Sequence, residues 1–272
     1  MSNPSLVRLQ KFLARHTTYG SRRTCEQLIA SGAVRINGQP AHLGQSVDPE
    51  HDRVEVDGRT VVPKKSGVYV LYNKPRGVLC TFADEPGETT LTDVIRRMKL
   101  PVRVFSVGRL DADAEGLLLL TDDGTLAERL THPRFGVSRT YEVGLNQSLT
   151  PEVAERVRRL RSLRPFVLPK SRQAQAEGRA DMRLPRRDAF RDTRPQRITP
   201  PKILDGVGGR HVRILLKEGR QREVKRIFAE VGLRVEYLRR VGFGPLRLKD
   251  LPPGAWRTLS RAEIEELKSE NS

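Results

Sequence analysis

Apolar residues recur along the first part of the chain in two rhythms. Leu6, Leu9, Phe12 and Leu13 fall on one side of a helical repeat, while Arg8, Lys11 and Arg15 fall together on another. This spacing predicts a basic amphipathic helix. Between Ser21 and Ser31 a second stripe, Cys25, Leu28 and Ile29, predicts another helix, opened by Arg22 and Arg23 and stopped by Gly32. The rhythm then changes to alternation: Val34-Arg35-Ile36 precedes the tight-turn pair Asn37-Gly38, and Val54-Glu55-Val56 precedes Asp57-Gly58. Two helices and a small sheet in about 60 residues are enough for a unit that folds alone.

Pro63-Lys64-Lys65-Ser66-Gly67 interrupts the pattern as a short basic linker. Beyond it, Val68-Tyr69-Val70-Leu71-Tyr72 predicts a buried strand ended by the basic turn Asn73-Lys74-Pro75-Arg76-Gly77. Leu117-Leu118-Leu119-Leu120, bounded by Gly116 and by Asp122-Asp123-Gly124, predicts a second buried strand. Further strands are expected at 140–143, 211–216 and 235–238, and helices at 151–162, 221–231 and 261–268. Ser260 and Glu263 form a capping-box pair at the start of the last helix. Periodicity fades between Arg164 and Gly208, where arginine alternates with proline, glutamine, aspartate and glycine, so residues 165–207 read as a basic, mobile insertion. The class is α+β, with expected units at 1–63 and 68–260 and a C-terminal helix or tail at 261–272.

Charge narrows the partners. The 272 residues carry 50 Lys and Arg against 33 Asp and Glu, a formal charge of +17 that suits a polyanion better than a small metabolite. Cys25 and Cys80 are far apart, so neither a disulfide framework nor a cysteine metal site is suggested, and a reducing cytoplasm fits. No segment reaches the ~20 apolar residues of a membrane span, and Arg8, Gln10 and Lys11 break up the N-terminal leucines, so no membrane or export is expected. The histidines show no ligand spacing, and no metal is implied.

The stretch from Val107 to Gly124 concentrates acidic residues just before the leucine run. Asp111, Asp113, Glu115, Gly116 and Asp122 could mimic a calcium loop, but four leucines fall among the ligand positions and the last ligand is Asp instead of a bidentate Glu. A metal-dependent hydrolase built on Asp111, Asp113 and Asp122 is the corresponding rival.

Two resemblances organise these pieces. Arg8-Leu9-Gln10-Lys11-Phe12-Leu13, Ser21-Arg22-Arg23 and Val34-Arg35-Ile36-Asn37-Gly38 resemble the S-four-type RNA-binding module, over roughly residues 5 to 62. Gly108-Arg109-Leu110-Asp111 with Gly116-Leu117-Leu118-Leu119-Leu120-Thr121 and Asp123-Gly124 resembles the signature of the ribosomal-RNA pseudouridine synthases of the RsuA and RluB group. The turn Asn73-Lys74-Pro75-Arg76-Gly77, the block Ser138-Arg139-Thr140-Tyr141 and the segment Glu218 to Phe228 resemble the same family, whose catalytic domain is a mixed, mainly antiparallel sheet with flanking helices.

The resemblance implies isomerisation of uridine to pseudouridine in ribosomal RNA, with the large subunit favoured. Asp111 is then the required carboxylate and Tyr141 the ring that stacks on the target base; Arg109, beside Asp111, is read as a contact to a phosphate or to the target nucleotide, with a structural salt bridge as the alternative. Lys225 stands where the family more commonly has the arginine that pairs with this aspartate, so Lys225 and Arg226 remain alternative partners. Expected RNA contacts are Arg8, Lys11, Arg15, Arg22, Arg23, Arg35, Lys74, Arg76, Arg222 and Arg226. Extruding a base from a stem costs roughly a few kcal/mol, and stacking on an aromatic face returns about 1–3 kcal/mol. The reaction exchanges one sugar–base bond for another, so no cofactor is called for. An ionised carboxylate could act as nucleophile or as base, and both roles stay open. The expected partner is ribosomal RNA or a ribosomal assembly intermediate, met by a monomer. The alternative is a non-catalytic RNA-binding or ribosome-assembly protein.

Overall fold

The structure, a computed structural model, describes residues 6–17, 19–63, 67–83, 85–100, 102–164 and 195–269. In the N-terminal part, β1 (Val7–Arg8) leads into α1 (Leu9–His16) and α2 (Arg22–Ala30), followed by β2 (Val34–Ile36), β3 (Gln39–Pro40), β4 (Ser46–Val47), β5 (Val54–Val56) and β6 (Arg59–Thr60). Strands β3-β2-β5-β6 form an antiparallel sheet, and β1 pairs with β4. Leu9, Phe12, Leu13, Cys25, Ile29, Val34 and Val56 form the core between the helices and this sheet. Leu6 was expected on the helical stripe but stands before the helix, 63% exposed, because Val7 and Arg8 pair with Val47 and Ser46 instead of coiling. The Ser21 hydroxyl accepts from the Thr24 amide, which starts α2.

The larger part is built on a nine-stranded sheet. Its elements in chain order are β7 (Tyr69–Lys74), α3 (Leu91–Met98), β8 (Phe105–Ser106), β9 (Glu115–Thr121), α4 (Gly124–Thr131), β10 (Arg139–Leu145), α5 (Pro151–Arg158), β11 (Ser162–Leu163), β12 (Gln196–Arg197), β13 (Lys202–Asp205), β14 (His211–Leu216), α6 (Glu223–Glu230), β15 (Val235–Phe243), β16 (Leu246–Arg247), β17 (Trp256–Thr258) and α7 (Arg261–Ser269). The sheet order is β13-β14-β10-β15-β9-β7-β17, with β8 on β9 and β16 on β15. The β9–β15 contact is parallel, and the other pairings in this sheet are antiparallel.

The leucine run is apolar throughout because both faces of β9 are covered. Leu117 and Leu119 pack with Leu126 and Leu130 of α4 and Leu267 of α7, while Leu118 and Leu120 pack with Leu91 and Met98 of α3. The helix at the C-terminus is therefore part of this core and not a detached tail. No helix among the described residues is long and apolar enough to cross a membrane.

Several expectations need correction. Asn73 and Lys74, read as a turn, extend β7 by pairing with Leu117 and Gly116. Asp123-Gly124, read only as the boundary of the leucine strand, also starts a helix that was not expected: the Asp123 carboxylate accepts from the amides of Thr125 and Leu126. The helix expected to reach residue 162 stops at Arg158, and Ser162–Leu163 pairs with Gln196–Arg197. The mobile-insertion reading fails for residues 195–207, where Ile198 is buried and Lys202–Asp205 adds an edge strand to β14. Backbone pairing holds this polar stretch without a hydrophobic repeat to announce it. Residues 165–194 and linker residues 64–66 lie outside the described residues.

Two contacts carry stability predictions. Gly116 has φ +108°, and a Cβ there would overlap the backbone nitrogen and oxygen of Arg240. Gly116→Ala should therefore lose about 3 kcal/mol in denaturant unfolding through overpacking and backbone strain; an unchanged midpoint would refute that close approach. At α7, Arg257 donates two bonds of 2.8 and 2.6 Å to Glu263, whose carboxylate also accepts from the Ser260 amide. The Arg257 bonds, assisted by the Ser260 amide against the opposing effect of burial, pull the Glu263 carboxyl from an ordinary 4.5 to about 2. Its folded pKa is depressed, so its contribution is complete above the ordinary glutamate range and is lost as pH falls toward 2. Unfolding curves of Glu263→Gln should be flatter than wild type in that window and no different in slope near neutrality.

Candidate active site

The residues before β9 form a turn closed by the Ala114 amide donating to the Asp111 carbonyl at 3.1 Å. It is fastened from below. Lys74 at the end of β7 is fully buried, and its ammonium donates to the carbonyls of Ala114 at 2.8 Å, Pro75 at 2.9 Å and Ala112 at 3.4 Å. Burial pushes the Lys74 ammonium below the ordinary lysine pKa. The Gly77 amide adds a bond to the Ala112 carbonyl at 2.7 Å, and the Leu110 amide reaches the Cys80 sulfur at 3.4 Å. Lys74 was expected on the RNA-binding surface. The structure contradicts that, since its charge is already spent on carbonyls inside the protein.

Above this turn opens a cleft of about 440 Å³, walled by Arg109, Asp111, Arg139, Tyr141, Arg222 and Arg240 among others. Asp111 is one-third exposed to it. The chain at the start of α6 supplies its cations: Lys225 Nζ lies 3.7 Å and Arg222 Nε 3.9 Å from Asp111 Oδ2. Arg222 is the residue just before the helix, with a left-handed backbone (φ +52°), and Lys225 lies in the first turn. Lys225 makes its shorter contacts to Asp113, at 2.6 Å from each carboxylate oxygen. Arg226 projects elsewhere, donating to Gln196 Oε1 at 2.8 Å and to the Arg164 carbonyl at 2.6 Å. Of the two alternative partners, Lys225 is thus the one beside Asp111, and Arg226 ties α6 to the β11–β12 segment.

Tyr141 is buried on β10, opposite Arg240 on β15. Arg139 and Arg240 are both buried, and each guanidinium carbon sits 5.2 Å from the Phe243 ring centroid. Arg139 donates to the carbonyls of Val137 and Leu130, and burial lowers its pKa. Arg240 Nε donates to the Leu117 carbonyl at 2.7 Å, whereas its buried Nη2 has no hydrogen-bond partner among the described residues. Glu223 is buried nearby and accepts from the Arg220 amide; burial raises its carboxyl above the ordinary range. Sequence reasoning passed over Arg240. Its strand parity with buried Leu238 and Gly242 was the available signal.

The remaining basic residues separate into two groups. Arg8, Arg23, Arg35, Arg76 and Arg109 are exposed; Arg8 also donates to the Gly44 carbonyl and Arg35 to that of Gly38. Lys11, Arg15 and Arg22 instead line a second cavity, of about 980 Å³, together with Arg103, Phe105 and Asp122 of the larger part. Asp122 accepts from the Val68 amide at the far end of β9 from Asp111, so the proposed Asp111, Asp113 and Asp122 metal set is not assembled. Among the described residues, no group of three His, Cys, Asp or Glu side chains is placed to hold a metal ion.

Lys74→Met should strand the carbonyls of Ala112 and Ala114, lowering stability by about 2 kcal/mol or more. Amide exchange at Gly77 and Ala114 should accelerate relative to the rest of the sheet; unchanged protection there would show that the ammonium does not hold the turn.

The family model for RNA pseudouridylate synthase matches residues 68–230, and that for the S4 domain matches residues 7–54. The chain is 39% identical over 267 residues to an uncharacterized RNA pseudouridine synthase of Mycobacterium leprae, covering 97% of this chain and 93% of that protein. It is 37% identical over 269 residues to the ribosomal large subunit pseudouridine synthase B of Pseudomonas aeruginosa, covering 97% of this chain and 62% of that protein. A similarly named protein of Buchnera aphidicola is 33% identical, with 96% of each chain covered. A crystal structure of a pseudouridylate synthase superposes with a TM-score of 0.59 at 28% identity, over 96% of this chain and 99% of that one. With its N-terminal S4 domain and its catalytic sheet, the chain belongs to the RNA pseudouridylate synthase family.

Proposed function

We propose that this enzyme isomerises a uridine of large-subunit ribosomal RNA in the cytoplasm, acting as a monomer with Asp111 as its catalytic carboxylate. The observation that carries the reading is Asp111 itself, held on a fastened turn, facing a cleft and flanked by two cations without being sealed by either. Relatives named for the large ribosomal subunit support the choice of RNA, and a formal charge of +17 suits docking on free ribosomal RNA or on an assembly intermediate.

The cleft opens beside Tyr141, so a uridine entering it must leave its stem, and the aromatic ring offsets part of the unstacking. Arg109 and Arg222 stand at the same cleft, where their guanidinium groups can take the target nucleotide's phosphates. The bond between uracil N1 and ribose C1′ breaks and a bond between C5 and C1′ forms. The C5 proton leaves to solvent and N1 gains one, so atoms and electrons balance. Asp111 serves this exchange by adding to the nucleotide or by removing the C2′ proton.

Large-subunit ribosomal RNA labelled with tritium at uridine C5 tests the reading. Wild type should release label, and Asp111→Ala should release it at least about a thousandfold more slowly, while holding the RNA with little change in affinity. Equal release by the two proteins would remove Asp111 from the reaction, and no release by wild type would remove this RNA as substrate.

A further inference from the structure

We propose that Asp113 is a positioning residue: it holds the Lys225 ammonium beside Asp111 but out of direct contact with it, leaving the Asp111 carboxylate open to the nucleotide. This rests on the reading of Asp111 as the group that performs the chemistry. The two carboxylates come from one turn, closed by the Ala114 amide on the Asp111 carbonyl. One ammonium is divided unequally between them, at 2.6 Å from both oxygens of Asp113 and 3.7 Å from Asp111 Oδ2.

Physical chemistry explains what the unequal division achieves. A direct ammonium–carboxylate bond at about 2.8 Å would occupy an Asp111 lone pair and reduce its reactivity. With no cation nearby, the charged carboxylate would be costly to keep in a closed cleft. The observed spacing retains the field of the cation and leaves the oxygens available. Asp113 suits the anchoring role because it is more exposed than Asp111, 54% against 33%, while Lys225 is only 18% exposed. Burial raises the Asp113 carboxyl, but the bond and charge of Lys225, with the charge of Arg222, outweigh it and leave the group below the ordinary aspartate range. The carboxylate is thus charged where it grips the ammonium. Lys74 fixes the carbonyls of Ala112 and Ala114 on either side of Asp113, so the separation of the two carboxylates is set by the fold.

The competing view is an ordinary surface ion pair with no part in the reaction. Asp113→Asn separates the two, since the residue is exposed and the substitution keeps its shape. In a crystal structure of Asp113→Asn, Lys225 Nζ should move onto Asp111 to within hydrogen-bond distance. Single-turnover tritium release from the same ribosomal RNA should slow by about tenfold or more, with the half-saturating RNA concentration unchanged and with Asp113→Glu recovering much of the rate. In a Lys225→Met background, Asp113→Asn should produce no further slowing, because its effect passes through that ammonium. The proposal is overturned if Lys225 stays more than about 3.5 Å from Asp111 in the variant, if the rate is unchanged, or if the variant slows the Lys225→Met protein as much as wild type. An inactive wild type on this RNA would count against the substrate reading alone, since the ammonium position in Asp113→Asn still decides the role of Asp113.

Discussion

The geometry of the cleft depends on a buried ammonium bonded to backbone. Lys74 brings a charge to a site with no solvent contact, which a fold tolerates only when the charge is well solvated by other means. Here the solvent is replaced by the carbonyls of Pro75, Ala112 and Ala114. The same bonds fix where the chain leaves the turn for β9. Gly116 then lets β15 approach so closely that its backbone occupies the space of a side chain, which sets Arg240 against the cleft. From one lysine, the positions of Asp111, β15 and the floor of the cleft follow in sequence.

That floor explains how a strongly basic protein keeps a carboxylate in a cleft lined with guanidinium groups. Arg139 and Arg240 are buried against Phe243, and Lys225 and Arg222 approach from α6, so Asp111 faces cations on several sides. Glu223, Asp113 and Asp111 prevent the cluster from being uniformly positive. Any anion therefore meets attraction at the mouth, while a neutral planar group would meet aromatic and guanidinium surfaces within.

Much of this was legible in the chain. The leucine run, the two turn glycines of the S4 domain, the Ser260–Glu263 cap and the site of Asp111 follow from periodicity or from a long motif, because each is encoded within a few neighbouring residues. Lys74 was misread for the opposite reason. A lysine in a basic turn looks exposed, and its burial depends on Ala112 and Ala114, which arrive about forty positions later in sequence. Likewise β13 is held by pairing to β14 without a hydrophobic pattern of its own. Where tertiary contacts alone decide a residue's environment, composition and spacing carry no trace of it.

The lysine at position 225 gains a physical rationale from this arrangement. An arginine has a planar fork that could address two carboxylates through different nitrogens, whereas a lysine has a single nitrogen that must be placed closer to one of them. Asp113 receives the short contacts and Asp111 the long one. Arg222, the residue just before α6, supplies a second cation to Asp111 at 3.9 Å and partly replaces the reach that the fork would have given. Charge around Asp111 is therefore distributed over two side chains at the start of α6, one from the residue that precedes the helix and one from its first turn, and the left-handed backbone of Arg222 is what brings the chain into the helix at that point.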